Sequence, residues 1–117
     1  MTDQGAEEIR AKLIALVTSG HLDQAQAVCR TLGLQLDLRN MRYVSGDLRG
    51  ADLRGADLRG AFIMRANLAD ADLRGADLRL AMFRYANLRG ARYDRATRWS
   101  FWEDLSGRGV VFVDDEE

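Results

Sequence analysis

Between Leu36 and Arg95 the large hydrophobic positions return every five residues. Cut into fives, this stretch reads LDLRN, MRYVS, GDLRG, ADLRG, ADLRG, AFIMR, ANLAD, ADLRG, ADLRL, AMFRY, ANLRG, ARYDR, with no insertion. The third position is always large and apolar: Leu38, Tyr43, Leu48, Leu53, Leu58, Ile63, Leu68, Leu73, Leu78, Phe83, Leu88 and Tyr93. The first is Ala in nine of the twelve units. A period of five is neither that of a helix nor that of a plain strand. Two inward positions spaced by two fit a short extended piece, and Gly in the fifth position of five units fits a turn after it. Each unit then forms one side of a polygon, its first and third residues pointing in and the other three out. The small inward Ala leaves room for the Leu of the neighbouring side.

On both flanks the pattern changes. EEIRAKLIALVTSG sets Ile9, Leu13, Leu16 and Val17 on one helical face and stops at Gly20. HLDQAQAVCRTLGL does the same with Leu22, Ala25, Val28, Cys29 and Leu32 and stops at Gly33. A helical hairpin over residues 1–35 is expected, lying over the Leu36, Leu38 and Met41 end of the repeat. His21 in its turn reads as a helix-start residue and Cys29 as a buried, inert thiol. Past the repeat, residues 96–117 carry Trp99, Phe101, Trp102, Leu105 and then a strand-like VVFV. Residues 96–113 read as a C-terminal lid, and Asp114 to Glu117 as a disordered acidic end. A short stack exposes core and unpaired strand edges at both ends, which is why covers are expected there. Three parts result: 1–35, 36–95 and 96–117.

The A(D/N)LxG signature of residues 36–95 resembles the pentapeptide-repeat family. The resemblance implies a right-handed quadrilateral β-helix with four units per coil. The residues give their own support for four, because the irregular units MRYVS, AFIMR and AMFRY recur every fourth unit, placing Tyr43, Ile63 and Phe83 at intervals of 20 residues. The expected fold is mainly β: a right-handed quadrilateral parallel β-helix of about three coils, with an N-terminal helical hairpin cap and a C-terminal lid. Tails with a Tyr followed by Thr and Trp are common after such repeats in bacterial proteins, usually with Pro next; here Ser100 takes that place.

The outward positions carry charge. Six of twelve second positions are Asp and two are Asn, while eight of twelve fourth positions are Arg, so columns of acid run beside columns of base. This reads as a solvated charge lattice whose exposed pairs each contribute about 0.2–1 kcal/mol. Across the chain, 17 Lys and Arg against 18 Asp and Glu leave a net charge of −1, with no overall pull toward nucleic acid or an anionic membrane. The repeat itself has 12 Arg and 8 Asp, hence +4, and residues 96–117 have 2 Arg and 6 acids, hence −4.

Catalysis and cofactor binding find little footing. The single His21 falls in the hairpin, the single Cys29 excludes an internal disulfide, and there is no phosphate-loop motif or metal-ligand spacing. No enzyme activity, cofactor, metal or small-molecule substrate is expected. The start of the chain lacks a basic segment followed by an apolar core, so a cytoplasmic location is expected. Some pentapeptide-repeat proteins are DNA mimics that bind gyrase, which the resemblance makes the alternative reading: an inhibitor or regulator of a specific enzyme. Mimicry asks for a long, strongly acidic rod, and this repeat is short and net positive. Direct nucleic-acid binding asks for base without interleaved acid.

What remains is protein interaction, and AFIMR points to where. In it Phe62 and Met64 stand where neighbouring units have Asp and Arg. With a 20-residue stacking period, Val44 and Met82 share that side, with Leu80 and Tyr85 at its corners. A contiguous apolar strip of Val44, Phe62, Met64, Leu80, Met82 and Tyr85 marks either an interface, self-association in a homodimer included, or a surface covered by the chain's own termini.

Overall fold

The computed structural model describes residues 2–114. It opens with two helices, α1 (Asp3–Thr18) and α2 (Leu22–Leu32). Thr2 starts α1, its hydroxyl accepting from the Gly5 N–H at 3.1 Å, which satisfies one of the orphan donors of the first turn. His21 is the residue before α2, without a side-chain capping bond, and Gly33 closes α2 in the left-handed region at φ 67°. Leu13, Val17, Ala25 and Cys29 join one buried cluster with the inward residues of the repeat, Leu36, Leu38 and Met41 among them. Val28 and Leu32 do not join: both are exposed, because α2 packs through Ala25 and Cys29 and their side of the helix is turned to solvent. The Arg10 guanidinium donates to the Arg39 carbonyl, and the Gln35 amide donates to the Gly55 carbonyl at 2.8 Å, tying the helical segment to the repeat.

Through the repeat, second-position residues pair in parallel at intervals of 20 residues: Asp37 with Asp57 and Asp57 with Asp77, Arg42 with Phe62 and Phe62 with Met82, Asp47 with Asn67 and Asn67 with Asn87, Asp52 with Asp72 and Asp72 with Arg92. The amide of Leu38 donates to the Asp57 carbonyl at 2.8 Å and the amide of Asp57 to the Leu36 carbonyl at 2.9 Å, a ladder repeated from unit to unit. Every unit therefore stacks on the unit four places on, which makes four stacks per 20-residue tier. First and third positions fill the interior, Leu38, Leu53, Leu58 and Ile63 being wholly buried and Ala56, Ala61, Ala66 and Ala71 with them. Tyr43 is only half-buried, since it lies at the open end of its stack. Its ring covers Gly46, where a Cβ would come within 2.4 Å of it, and this explains why that first position is not Ala.

Eleven of the twelve units turn at their fifth residue in the left-handed region, the exception being Arg95. Glycine takes this conformation without strain, as at Gly55 (φ 68°), but Arg65 (60°), Leu80 (64°) and Tyr85 (63°) adopt it too.

Parallel pairing continues beyond Arg95 with small changes of register. Arg98 pairs with Asp77, and β1 (Arg92–Tyr93) pairs with β2 (Val111–Phe112). The Asp77–Arg98 step is one residue longer than the repeat and the β1–β2 step one shorter. Thr97 and Trp99 thereby take first and third positions. Thr97 is buried, and the Trp99 ring meets Phe83 and Tyr93 edge-on at 6.0 and 5.7 Å. Ser100 has a use that Pro lacks: its hydroxyl accepts from the Leu80 N–H at 2.6 Å. The Asp94 carboxylate does the same for the Gly75 N–H at 3.0 Å. Of the disordered acidic end expected from Asp114 to Glu117, Asp114 is described and pairs with Arg95 at 3.7 Å, and residues 115–117 lie outside the described residues.

Candidate interaction face

Three of the four stacks owe their outward chemistry to one local device. In each ADLRG-type unit the Arg two residues after the Asp reaches back to it through two side-chain bonds, as at Arg59–Asp57 (2.9 and 2.7 Å) and Arg74–Asp72 (2.8 and 2.7 Å). The same Asp accepts the backbone N–H of that Arg at 3.2 Å, closing the turn. Asn67 and Asn87 do this part alone, accepting from Ala69 and Arg89 at 3.1 and 3.0 Å. The lattice is thus a set of bidentate pairs within units, linked between tiers by longer contacts such as Arg54–Asp72 at 3.8 Å. Asp57 and Asp72 are buried, which the reading of these positions as freely solvated did not foresee.

Hydrogen bonds from Arg54, Arg74 and Arg79 hold the carboxyls of Asp52, Asp72 and Asp77 below their ordinary range. A carboxylate depressed in the folded state stabilises it fully above the unfolded value of about 3.9 and stops doing so as pH falls through the folded value. Melting midpoints followed by circular dichroism are expected to stay level between about pH 7 and 5 and to drop below about pH 4, with a shallower drop for Asp72→Asn. A midpoint that does not move down to about pH 2 would remove these pairs from the stability of the fold.

The stack made by residues 41–45, 61–65 and 81–85 is different. None of its three units contains a carboxylate. Arg42, Phe62 and Met82 form its second-position column, and Val44, Met64 and Arg84 its fourth-position column. Val44, Met82, Leu80 and Tyr85 are exposed, the last two by 62% and 69%, while Phe62 and Met64 are half-buried. All six predicted residues therefore lie along one stack and its two corners. The Arg42 guanidinium covers the Phe62 ring at 4.8 Å, and Arg65 and Arg84 flank the Tyr85 ring at 5.8 and 5.7 Å. Among the described residues Arg42, Arg65 and Arg84 have no salt-bridge partner. The strip is apolar and basic at once. Its arginines were legible in the sequence, in the three units that lack acid.

The returning chain borders this stack without covering it. Phe101 and Trp102 turn outward, and Trp102, Glu103 and Arg108 form one wall of a groove of about 620 Å³ whose other wall includes Met64, Leu80, Met82 and Phe83. Arg108 is held by Glu103 at 2.8 Å and lies 5.5 Å from the Phe83 ring centre. Trp102 and Arg108 were not foreseen as part of the face, since nothing local in the sequence fixes the path of this segment. Among the described residues no group of three or more His, Cys, Asp or Glu could hold a metal ion, and no helix is long and apolar enough to cross a membrane.

Comparison with known proteins fits the repeat. The pentapeptide-repeat family pattern, in 8 copies, matches residues 37–68 and 63–92. The chain is similar to the crystal structure of Rfr23, a pentapeptide repeat protein from the cyanobacterium Cyanothece 51142, at 33% identity and TM-score 0.54 over 57% of this chain and 50% of that one. The chain thus spans about half the length of Rfr23. It is also similar to alr5209, a pentapeptide repeat protein from Nostoc Pcc 7120, at 25% identity and TM-score 0.35 over 88% of this chain and 94% of that one. A third similar structure is AT2G44920, a pentapeptide repeat protein from the Arabidopsis thaliana thylakoid lumen, at 28% identity and TM-score 0.30 over 63% of this chain and 56% of that one. No curated protein matches. The family pattern and the likeness to Rfr23 imply a β-helical fold.

Proposed function

Because its repeat domain belongs to the pentapeptide-repeat family, we propose that this chain is a non-enzymatic structural or protein-interaction module that docks a protein partner or a second copy on the 41/61/81 stack. In this reading the tiers are about three coils of a right-handed, four-sided parallel β-helix, with residues 1–35 as a cap at one end and residues 96–113 as a lid at the other. One observation carries the proposal: the outward positions that elsewhere hold Asp–Arg pairs here hold Phe62, Met64 and Met82, contiguous with exposed Val44, Leu80 and Tyr85. Leu80 and Tyr85 keep left-handed backbone where Gly would be unstrained, so large side chains are retained at these corners against a local cost of about 1–2 kcal/mol each. An inhibitor of the DNA-mimic, gyrase-binding type is less well supported, because six of the repeat's eight acids are paired with arginines and the repeat is net positive.

The test replaces Phe62 by Asp and Met64 by Arg, the residues of an ordinary unit, and measures sedimentation velocity of the purified chain and of the chain in extract of its native host. Wild type is expected to sediment faster than a 13.1 kDa monomer in at least one of the two. The variant is expected to sediment as that monomer with an unchanged melting midpoint. Unchanged sedimentation with a large fall in melting would mean that the strip serves the fold and not an interface.

A further inference from the structure

The last tier of the stack ends unevenly. Over residues 76–80 the returning chain supplies acceptors, the Arg98 carbonyl for the Leu78 N–H at 2.7 Å and the Ser100 hydroxyl for the Leu80 N–H at 2.6 Å. Over residues 91–95, β2 pairs with β1. Over residues 81–85 no strand follows. One tier below, Ile63 and Arg65 donate their N–H groups to the carbonyls of Met82 and Arg84 at 2.9 Å each, and the Ala61 carbonyl accepts from the Met82 N–H at 2.8 Å. The equivalent groups above, the N–H of Phe83, the N–H of Tyr85 and the carbonyl of Ala81, have no hydrogen-bond partner among the described residues. A free strand edge therefore borders the groove between Met82 and Trp102. Beside it stand Arg65 and Arg84, flanking Tyr85 and unpaired with any carboxylate among the described residues.

We propose that this edge takes an extended acidic peptide of a partner protein as an added strand. The inference rests on the interaction-module reading above and narrows it to one occupant. Main-chain groups of the peptide complete the bonds left open at Ala81, Phe83 and Tyr85. Because side chains of an extended strand alternate, one set enters the groove against Met82 and Trp102 and the other faces solvent at the rim. Carboxylates on that rim meet Arg65 and Arg84 in charge-assisted contacts. Charge also selects against the alternative of a second copy on the same edge: a two-fold contact would bring the unpaired arginines of one protomer toward those of the other. A nucleic acid would satisfy the arginines but offers no strand to the edge.

Two measurements test it: fluorescence anisotropy with a fluorescein-labelled octapeptide of alternating Glu and Val, and amide hydrogen exchange by NMR on the full chain. The controls are the Lys–Val octapeptide and a single-stranded oligothymidylate of similar charge. The Glu–Val peptide is expected to bind and the Lys–Val peptide not. Exchange at the Phe83 and Tyr85 amides should slow by about tenfold or more at saturation. Arg84→Glu, checked for an unchanged NMR fold, should weaken binding by about tenfold, and Arg49→Glu on a neighbouring stack should not. Binding by the oligothymidylate as tight as by the peptide would overturn the proposal, as would no binding by any probe or equal losses in the two variants. Peptide binding with unchanged exchange at Phe83 and Tyr85 would overturn the added strand alone and leave the face standing. Failure of the face is read separately, from sedimentation of the Phe62→Asp, Met64→Arg variant.

Discussion

Leu68→Ala is expected to lower unfolding free energy by about 2–5 kcal/mol in urea titrations followed by circular dichroism. Leu68 is 1% exposed, sits in the middle tier, and shares its column with Leu48 and Leu88, both buried. Its backbone is bonded upward, Leu68 N–H to the Asn87 carbonyl at 2.8 Å, and the flanking Asn67 N–H is bonded downward to the Gly46 carbonyl at 2.8 Å. With the tiers pinned at their ladder spacing the cavity has little room to collapse, which favours the upper part of the range. The comparison is Arg49→Ala. Arg49 and Asp47 are both well exposed, so losing this pair should cost less than about 1 kcal/mol. Equal costs for the two variants would mean that the inward and outward positions are assigned wrongly. Arg74→Ala should fall between them, because Asp72, only 6% exposed, would keep Arg92 at 3.3 Å and Arg54 at 3.8 Å but lose its bidentate partner.

The register of the repeat was legible because a five-residue unit returns the same two residues to the interior each time, and an error of one residue would turn Leu68 and its equivalents to solvent. The candidate strip was legible for a related reason: where an ordinary unit must carry Asp and Arg outside, Phe62 and Met64 stand out as exceptions, and the 20-residue period gathers them with Val44 and Met82. What the sequence concealed depends on contacts that no period encodes. The Asp of each unit has a second use, accepting a backbone N–H to close its turn, and this is invisible when the position is read only as charge. The path after Arg95 departs from the repeat through one register step a residue longer and another a residue shorter, so Trp102 and Arg108 come to border the strip without any local signal. In α2, apolar content at Val28 and Leu32 suggested burial, but packing through Ala25 and Cys29 leaves that side of the helix uncovered. The free edge at Phe83 and Tyr85 follows from the same departure, since it exists only because the returning chain swings outward at Phe101.

Trp99→Ala is expected to cost about 3 kcal/mol, and Trp99→Phe to stay within about 1 kcal/mol of wild type. The indole occupies the third position of the last pairing and lies edge-on to Phe83 and Tyr93, so removing it opens the end of the core where no further tier follows. Its Nε1 is buried and has no hydrogen-bond partner among the described residues. A buried donor without an acceptor is itself unfavourable by about 1–3 kcal/mol, so replacing the indole by a phenyl ring removes that cost while keeping most of the apolar contact. Phe101→Ala serves as the neighbouring control: Phe101 is 96% exposed, and its loss should change stability by less than about 0.5 kcal/mol. If urea titration finds Trp99→Ala as mild as Phe101→Ala, residues 96–101 do not close this end of the core. If Trp99→Phe is as damaging as Trp99→Ala, the indole N–H has a partner after all, and the end of the stack is held by a bond and not by packing.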